Sequence, residues 1–189
     1  MKTIQHLKYK ICISGSARGR CARNAVAMAR RLGKEAAKHN LVVVSGATTG
    51  IPYEVVSAAK AAGGITIGIS PAASKIEHIK KYRLPTDNLD LIIYTGFDYS
   101  GRNLFLIRAT DAAIFVCGRI GTLNEFTIAF EDKKPIGILT ESGGISDEIK
   151  SILKIAKRGK GKIVYDSDPE KLIEKVIGLI KKEEKENNQ

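Results

Sequence analysis

Tryptophan is absent and aromatic side chains make up only 6% of the chain, so a core must come from Ile, Val, Leu and Ala. No apolar run approaches the ~20 residues that a helical bilayer crossing requires, so no membrane span is expected. The stretch Met1–Lys10 is basic but leads into no long apolar segment. A secretory leader is therefore not expected, and the chain is expected to stay in the cytoplasm. Cysteine is scarce: Cys12, Cys21 and Cys117 are odd in number and show no CxxC spacing, which argues against a disulfide scaffold or a zinc site. Cys12 and Cys117 lie in apolar runs and read as packed side chains. Cys21, flanked by Arg20 and Arg23, reads either as structural or as a thiol made more acidic by its neighbours.

Acidic residues are the other deficit. Lys and Arg number 31 against 20 Asp and Glu, for a formal net charge of +11 and a pI of about 9.6. Such a balance invites a nucleic-acid partner or an anionic small molecule. The lysines are scattered: Lys34 and Lys38 in one helical segment, Lys80 and Lys81 in a loop, Lys157–Lys162 near the end. No aromatic stacking platforms are interleaved with them, which disfavours nucleic acid and favours a solvated surface.

The 189 residues suffice for one domain with a real core. Short β-branched runs alternate with helical periodicity along the chain. Strands are expected at Lys10–Ser14, Leu41–Ser45, Ile65–Ser70, Leu91–Thr95, Ala112–Cys117, Pro135–Leu139 and Lys162–Tyr165. Helices are expected at Cys21–His39, Tyr53–Ala62, Arg102–Thr110, Thr122–Phe130, Ile145–Ala156 and Pro169–Ile180, with Pro71–Asn88 as a long irregular loop. Asp168 reads as the cap of the last helix, with Pro169 at its first position. This order predicts an α/β fold: a Rossmann-like, doubly wound parallel sheet of about seven strands with helices on both faces. Residues 1–180 form the single domain, and 181–189 read as a charged, disordered tail.

In such a sheet ligands meet the carboxyl ends of the strands. Three glycine turns arrive there: Gly15–Gly19, Gly46–Gly50 and Gly118–Gly121. None is a GxGxxG fingerprint, and the second strand ends without the acid that would bind a ribose diol, so NAD and FAD are not expected. A Walker A loop is missing as well. No PLP-lysine or metal signature is present, so no cofactor is expected. The strongest local signal is Gly118-Arg119-Ile120-Gly121-Thr122, a glycine turn running into a helix, where free N–H groups and the positive end of the helix dipole suit a phosphate. Thr122 reads as the N-cap. Glu125 has capping-box spacing from it and reads either as that box or as a carboxylate at a pocket mouth. Arg102 reads as the first residue of its helix, where a cation opposes the dipole and so hints at a ligand.

Taken together, these pieces resemble the LOG family, once labelled "lysine decarboxylase-like", including relatives grouped with molybdenum-cofactor carrier proteins. The resemblance runs from about Ile11 to Ile177. It rests on the GSxxG turn Gly15–Gly19, the second turn Ser45–Pro52, the run Ala62–Pro71, Gly101-Arg102-Asn103, Thr110-Asp111-Ala112, and Cys117–Glu125 in place of PGGxGTxxE. It implies hydrolysis of the N-glycosidic bond of a nucleoside 5′-monophosphate, with Arg102 and Glu125 as the catalytic pair. It also implies phosphate or nucleotide contacts at Gly15, Ser16, Gly46, Gly50, Gly118, Arg119, Gly121 and Thr122, and a homodimer or higher homo-oligomer formed through helices beside the site. The carrier relatives imply the alternative of a non-catalytic nucleotide or molybdopterin-type carrier. Ser45-Gly46 and Gly101-Arg102-Asn103 are also similar to the Rossmann domain of DNA-processing protein A, which would imply single-stranded nucleic acid. Four positions depart from the LOG pattern: Cys117 for proline, Arg119 and Ala47 for glycines, and Asn124 for a common glutamate. Arg119 places a side chain where the family keeps none, to crowd a phosphate or to grip it.

Overall fold

A computed structural model describes residues 7–19, 21 and 23–187. Seven parallel strands form one sheet: β1 (Lys10–Gly15), β2 (Val42–Ser45), β3 (Ile65–Ser70), β4 (Leu91–Tyr94), β5 (Ala112–Val116), β6 (Ile136–Leu139) and β7 (Ile163–Asp166). Their order is β4-β3-β2-β1-β5-β6-β7. Between them run α1 (Ala25–Lys38), α2 (Ile51–Ala61), α3 (Lys75–Lys80), α4 (Asp98–Arg108), α5 (Ile120–Glu131) and α6 (Ile145–Ile155), and α7 (Pro169–Asn187) closes the chain. The expected doubly wound α/β sheet is the fold that forms.

The central strands carry apolar side chains on both faces because both are covered. Along β1, Ile11 and Ile13 face a core shared with α1, α2 and α7, whereas Cys12 faces the core shared with α4, α5 and α6. β5 alternates in the same way: Ala112, Ile114 and Val116 on the first face, Ala113 and Phe115 on the second. On that second face Phe115 meets Phe126 of α5 edge-on, with ring centres 5.7 Å apart. This contact fixes α5 over the end of β5. On the first face, a Cβ at Gly33 would lie 2.2 Å from the Val55 carbonyl, so α1 and α2 pack backbone to backbone there.

Several expectations are corrected. The loop Pro71–Asn88 contains α3, started by Ser74, whose hydroxyl accepts from the Glu77 N–H. α4 begins at Asp98, so Arg102 is its fifth residue; Phe97 stacks on Phe105 with ring centres 5.2 Å apart and carries the helix back across Gly101. α5 begins at Ile120 with Arg119 as N-cap, which places Thr122 at the third helical position. α7 continues to Asn187, so most of the supposed tail is helical, and Lys162–Glu183 and Tyr9–Glu184 contacts tie it to the body. Asn188 and Gln189 lie outside the described residues. Asp168 caps α7 as expected, accepting from the Lys171 N–H at 3.0 Å. Finally, Cys21 and Cys117 form a disulfide. Their 96-residue separation hid the pair, because only the adjacency of β1 and β5 brings them together. Among the described residues, no helix is long and apolar enough to cross a membrane.

Candidate functional site

The strand order reverses direction between β1 and β5. From β1 the chain winds outward to β4; α4 then carries it back so that β5 lies on the other side of β1. Connections that leave in opposite directions open a crevice at the carboxyl ends of these two strands. A cavity of about 460 Å³ lies there. It draws residues from the end of β1, from the turns that follow β1 and β2, from the start of α2, from α4 and from Arg119 and α5.

α5 supplies one wall. Gly118 has φ 95°, and a Cβ there would lie 2.4 Å from Thr122 Cγ2, so the turn requires glycine. Arg119 is extended, and the helix starts at Ile120 with no side-chain cap and no acid in its first turn. Ile120, Gly121 and Thr122, whose N–H groups head the helix, all line the cavity. The Arg119 side chain lines it too, and its Nη1 lies 3.5 Å from the Arg18 carbonyl across the crevice.

The floor is a buried charge cluster. Glu125, one turn into α5, is 7% exposed, and Arg102 is 4% exposed. Arg102 Nη1 stands 3.5 Å from Glu125 Oε1, an ion pair without a formed hydrogen bond. The Ser14 hydroxyl, from the end of β1, donates to Glu125 Oε2. Glu125 Oε1 and the Tyr99 carbonyl can only accept, so the Asn103 amide turns its nitrogen toward them and donates to both at 2.9 Å. Burial pushes the Glu125 carboxyl above the ordinary glutamate range, and Arg102 and Ser14 pull partly back. Glu125 therefore is not a capping-box partner of Thr122; it faces Ser14, Arg102 and Asn103.

Arg102 is the unusual member. Its Nε and Nη1 are buried with no hydrogen-bond partner. Leaving such donors unmet costs about 1–3 kcal/mol each, more when charged. A Cβ at Gly46 would lie 1.9 Å from Arg102 Nη1, so the second glycine turn is shaped around the guanidinium. The helix-start argument for Arg102 is overturned, since the residue sits in the second turn of α4. Its unpartnered donors are a stronger sign that something outside the protein completes it.

Of the ten residues expected at a site, eight line this cavity: Gly15, Ser16, Gly46, Arg102, Arg119, Gly121, Thr122 and Glu125. Gly50 and Gly118 do not; they shape the turns behind it. A Cβ at Gly50 would lie 2.3 Å from the Ser16 carbonyl. Sequence reasoning passed over Ser14, Asn103 and Tyr99. Ser14 carried a signal, as the one hydroxyl in the apolar run of β1 at its ligand end. Among the described residues, no group of three His, Cys, Asp or Glu side chains is placed to hold a metal.

An arginine-lined pocket at the switch point of a Rossmann-like sheet is the class these features define. The profile of the SLOG cluster4 family matches residues 8–173, and the chain belongs to that family. It is similar to an uncharacterized protein of Archaeoglobus fulgidus, 29% identical over 121 residues, 64% of this chain and 74% of the relative. Among solved structures it is similar to the molybdenum cofactor carrier protein of Chlamydomonas reinhardtii, at 27% identity and TM-score 0.75 over 92% of this chain and 99% of that one. The molybdenum cofactor binding protein of Rippkaea orientalis aligns at 27% identity and TM-score 0.71, over 93% and 97% of the two chains.

Proposed function

We propose that the cavity binds a nucleoside 5′-monophosphate and that Arg102 and Glu125 hydrolyse its N-glycosidic bond, releasing base and ribose 5-phosphate. The observation that carries this reading is the Arg102 guanidinium, buried beside Glu125 with two donors unmet. The uncapped start of α5, with Arg119 beside it, takes the phosphate. Binding energy gained there, away from the reacting bond, holds the sugar against the floor. The Arg102 guanidinium, which lines the cavity, donates to acceptors on the sugar or base. As the bond to the base breaks, positive charge grows on the sugar. The Glu125 carboxylate, oriented by Ser14 and Asn103, stabilises that charge or directs the attacking water.

A second reading, a carrier that holds a phosphorylated pterin cofactor without turnover, is favoured by the likeness to the two molybdenum-cofactor proteins along nearly their whole length. Chromatography of a nucleoside monophosphate panel incubated with the protein separates the two. Free base from the wild type and none from Glu125→Gln supports the hydrolase. Saturable binding with no base released supports the carrier.

Self-association is part of the proposal. Phe97, Leu104 and Phe105 on and before α4, which lines the cavity, are exposed apolar side chains, as are Leu91 and Ile93 on edge strand β4. We assign this face to a second copy of the chain. Sedimentation should report a dimer or larger species that Phe105→Glu reduces to monomer; a monomeric wild type would refute it.

A further inference from the structure

The Cys21–Cys117 disulfide joins the two walls of the cavity. Cys21 follows the β1 turn that contributes Ser16, Ala17 and Arg18, and Cys117 opens the β5 turn that contributes Arg119 and the head of α5. The two ends are held differently. Cys117 is anchored by its backbone: its N–H donates to Ser142 Oγ at 2.7 Å, and its carbonyl accepts from the Ser146 N–H at 2.9 Å and hydroxyl at 2.7 Å. On the other wall, Ser16 and Ala17 are tied to the start of α2 through the Ile51 N–H and the Thr49 hydroxyl. Beyond them, the Ser16 hydroxyl donates to the Arg18 carbonyl, and among the described residues Arg18 meets the opposite wall through the 3.5 Å contact from Arg119. Among the described residues, the covalent bridge is the strongest tie between the segments that carry Arg18 and Arg119.

We infer that Cys21–Cys117 is a reversible redox site that sets the ligand affinity of this cavity: strong when oxidised, weak when reduced. The inference rests on the anion-binding reading above. The reductant is a dithiol. Cys21 is partly exposed and Cys117 buried, so one thiolate of the dithiol attacks Cys21 Sγ and the Sγ–Sγ bond breaks. Cys117 leaves as a thiolate and takes a proton. The second thiol of the reductant then displaces Cys21, which also leaves and takes a proton, so two protein thiols and one cyclic disulfide result. Cys117 leads into the start of α5, where no first-turn acid opposes the negative charge of the departing sulfur. Cys12, buried in β1, takes no part.

The test combines thiol counting with calorimetry on the full chain, after oxidation with diamide and after reduction with dithiothreitol. Alkylation in denaturant should find one thiol in the oxidised protein and three in the reduced. Adenosine 5′-monophosphate and ribose 5-phosphate should bind at least tenfold more weakly to the reduced form. Cys21→Ser should bind as the reduced form does in either condition; the comparison of the two wild-type states stands even if that variant fails to fold. Three thiols after oxidation, or equal affinities in the two states, would overturn the redox inference alone. Binding in neither state would overturn the reading of the site and take this inference with it.

Discussion

Two of the seven helices differ from the other five at their N-termini. α2, α3, α4, α6 and α7 each carry an acid in the first turn: Glu54, Glu77, Asp98, Asp147 with Glu148, and Glu170. α1 and α5 carry none, and neither receives a side-chain cap. These two follow β1 and β5, the strands that frame the crevice. An acid in the first turn stabilises a helix by about 0.3–1 kcal/mol. Five helices take that stabilisation, including α2 and α4, whose Pro52 and Tyr99 also line the cavity. α5, whose first three residues line the cavity, leaves its positive end bare and has Arg119 beside it. At the start of α5 the sequence forgoes that stabilisation beside the cavity.

The comparison can be broken or sharpened by substitution. The largest effect belongs to the floor: if Glu125 does chemistry, Glu125→Gln should lower base release by about 10²–10⁴-fold while ligand binding persists. Undiminished release would remove Glu125 from the mechanism. Gly46→Ala comes next. Its Cβ would overlap Arg102 Nη1 and displace the guanidinium, with about 1–3 kcal/mol lost in urea unfolding and binding weakened alongside. A fully stable, active Gly46→Ala protein would show that Arg102 need not stand where it does.

The raised Glu125 carboxyl makes a prediction with a definite sign. Its favourable contribution to stability is complete below the unfolded value of about 4.3 and is lost as pH rises through the folded one. Unfolding free energy of the wild type should therefore fall relative to Glu125→Gln between about pH 4 and the folded value. A relative gain with pH would mean that Arg102 outweighs burial. The smallest effect tests the helix comparison directly. Ile120→Glu, at an exposed site, adds the missing acid to α5 and should raise stability by about 0.3–1 kcal/mol while weakening phosphate-dependent binding. The mirror change, Glu170→Gln on α7, should lose a similar amount and leave binding untouched. If Ile120→Glu leaves affinity unchanged, the bare end of α5 is not where the anion sits.

Much of this was legible from the sequence because period and punctuation are local. All seven strands fall within a residue or two of the apolar runs, and glycine turns marked the ligand edge. Glu125 stood out by its spacing from Thr122, and Arg102 by a helix-start argument that the structure overturns. The misses are tertiary. Thr122 looked like a cap because serine and threonine favour that position, yet the φ of Gly118 lets the helix start two residues earlier. The Cys21–Cys117 bridge depends on β1 and β5 being neighbours, a fact of strand order rather than of spacing. Ser14 and Asn103 gain their meaning only from the carboxylate they meet.

The adjacency of β1 and β5 also bears on how the chain is made. Strands β1 to β4 can assemble in order as soon as residue 94 is available, because each pairs with its predecessor. The other edge of β1, Ile11–Gly15, must wait for Ala112–Val116. Until then a growing chain presents an unpaired apolar strand, the kind of edge that recruits other chains. The insertion of β5 closes that edge and, in the same step, brings Glu125 against Ser14. Closure of the β1 edge and completion of the pocket thus belong together, and β6 and β7 extend the sheet afterwards.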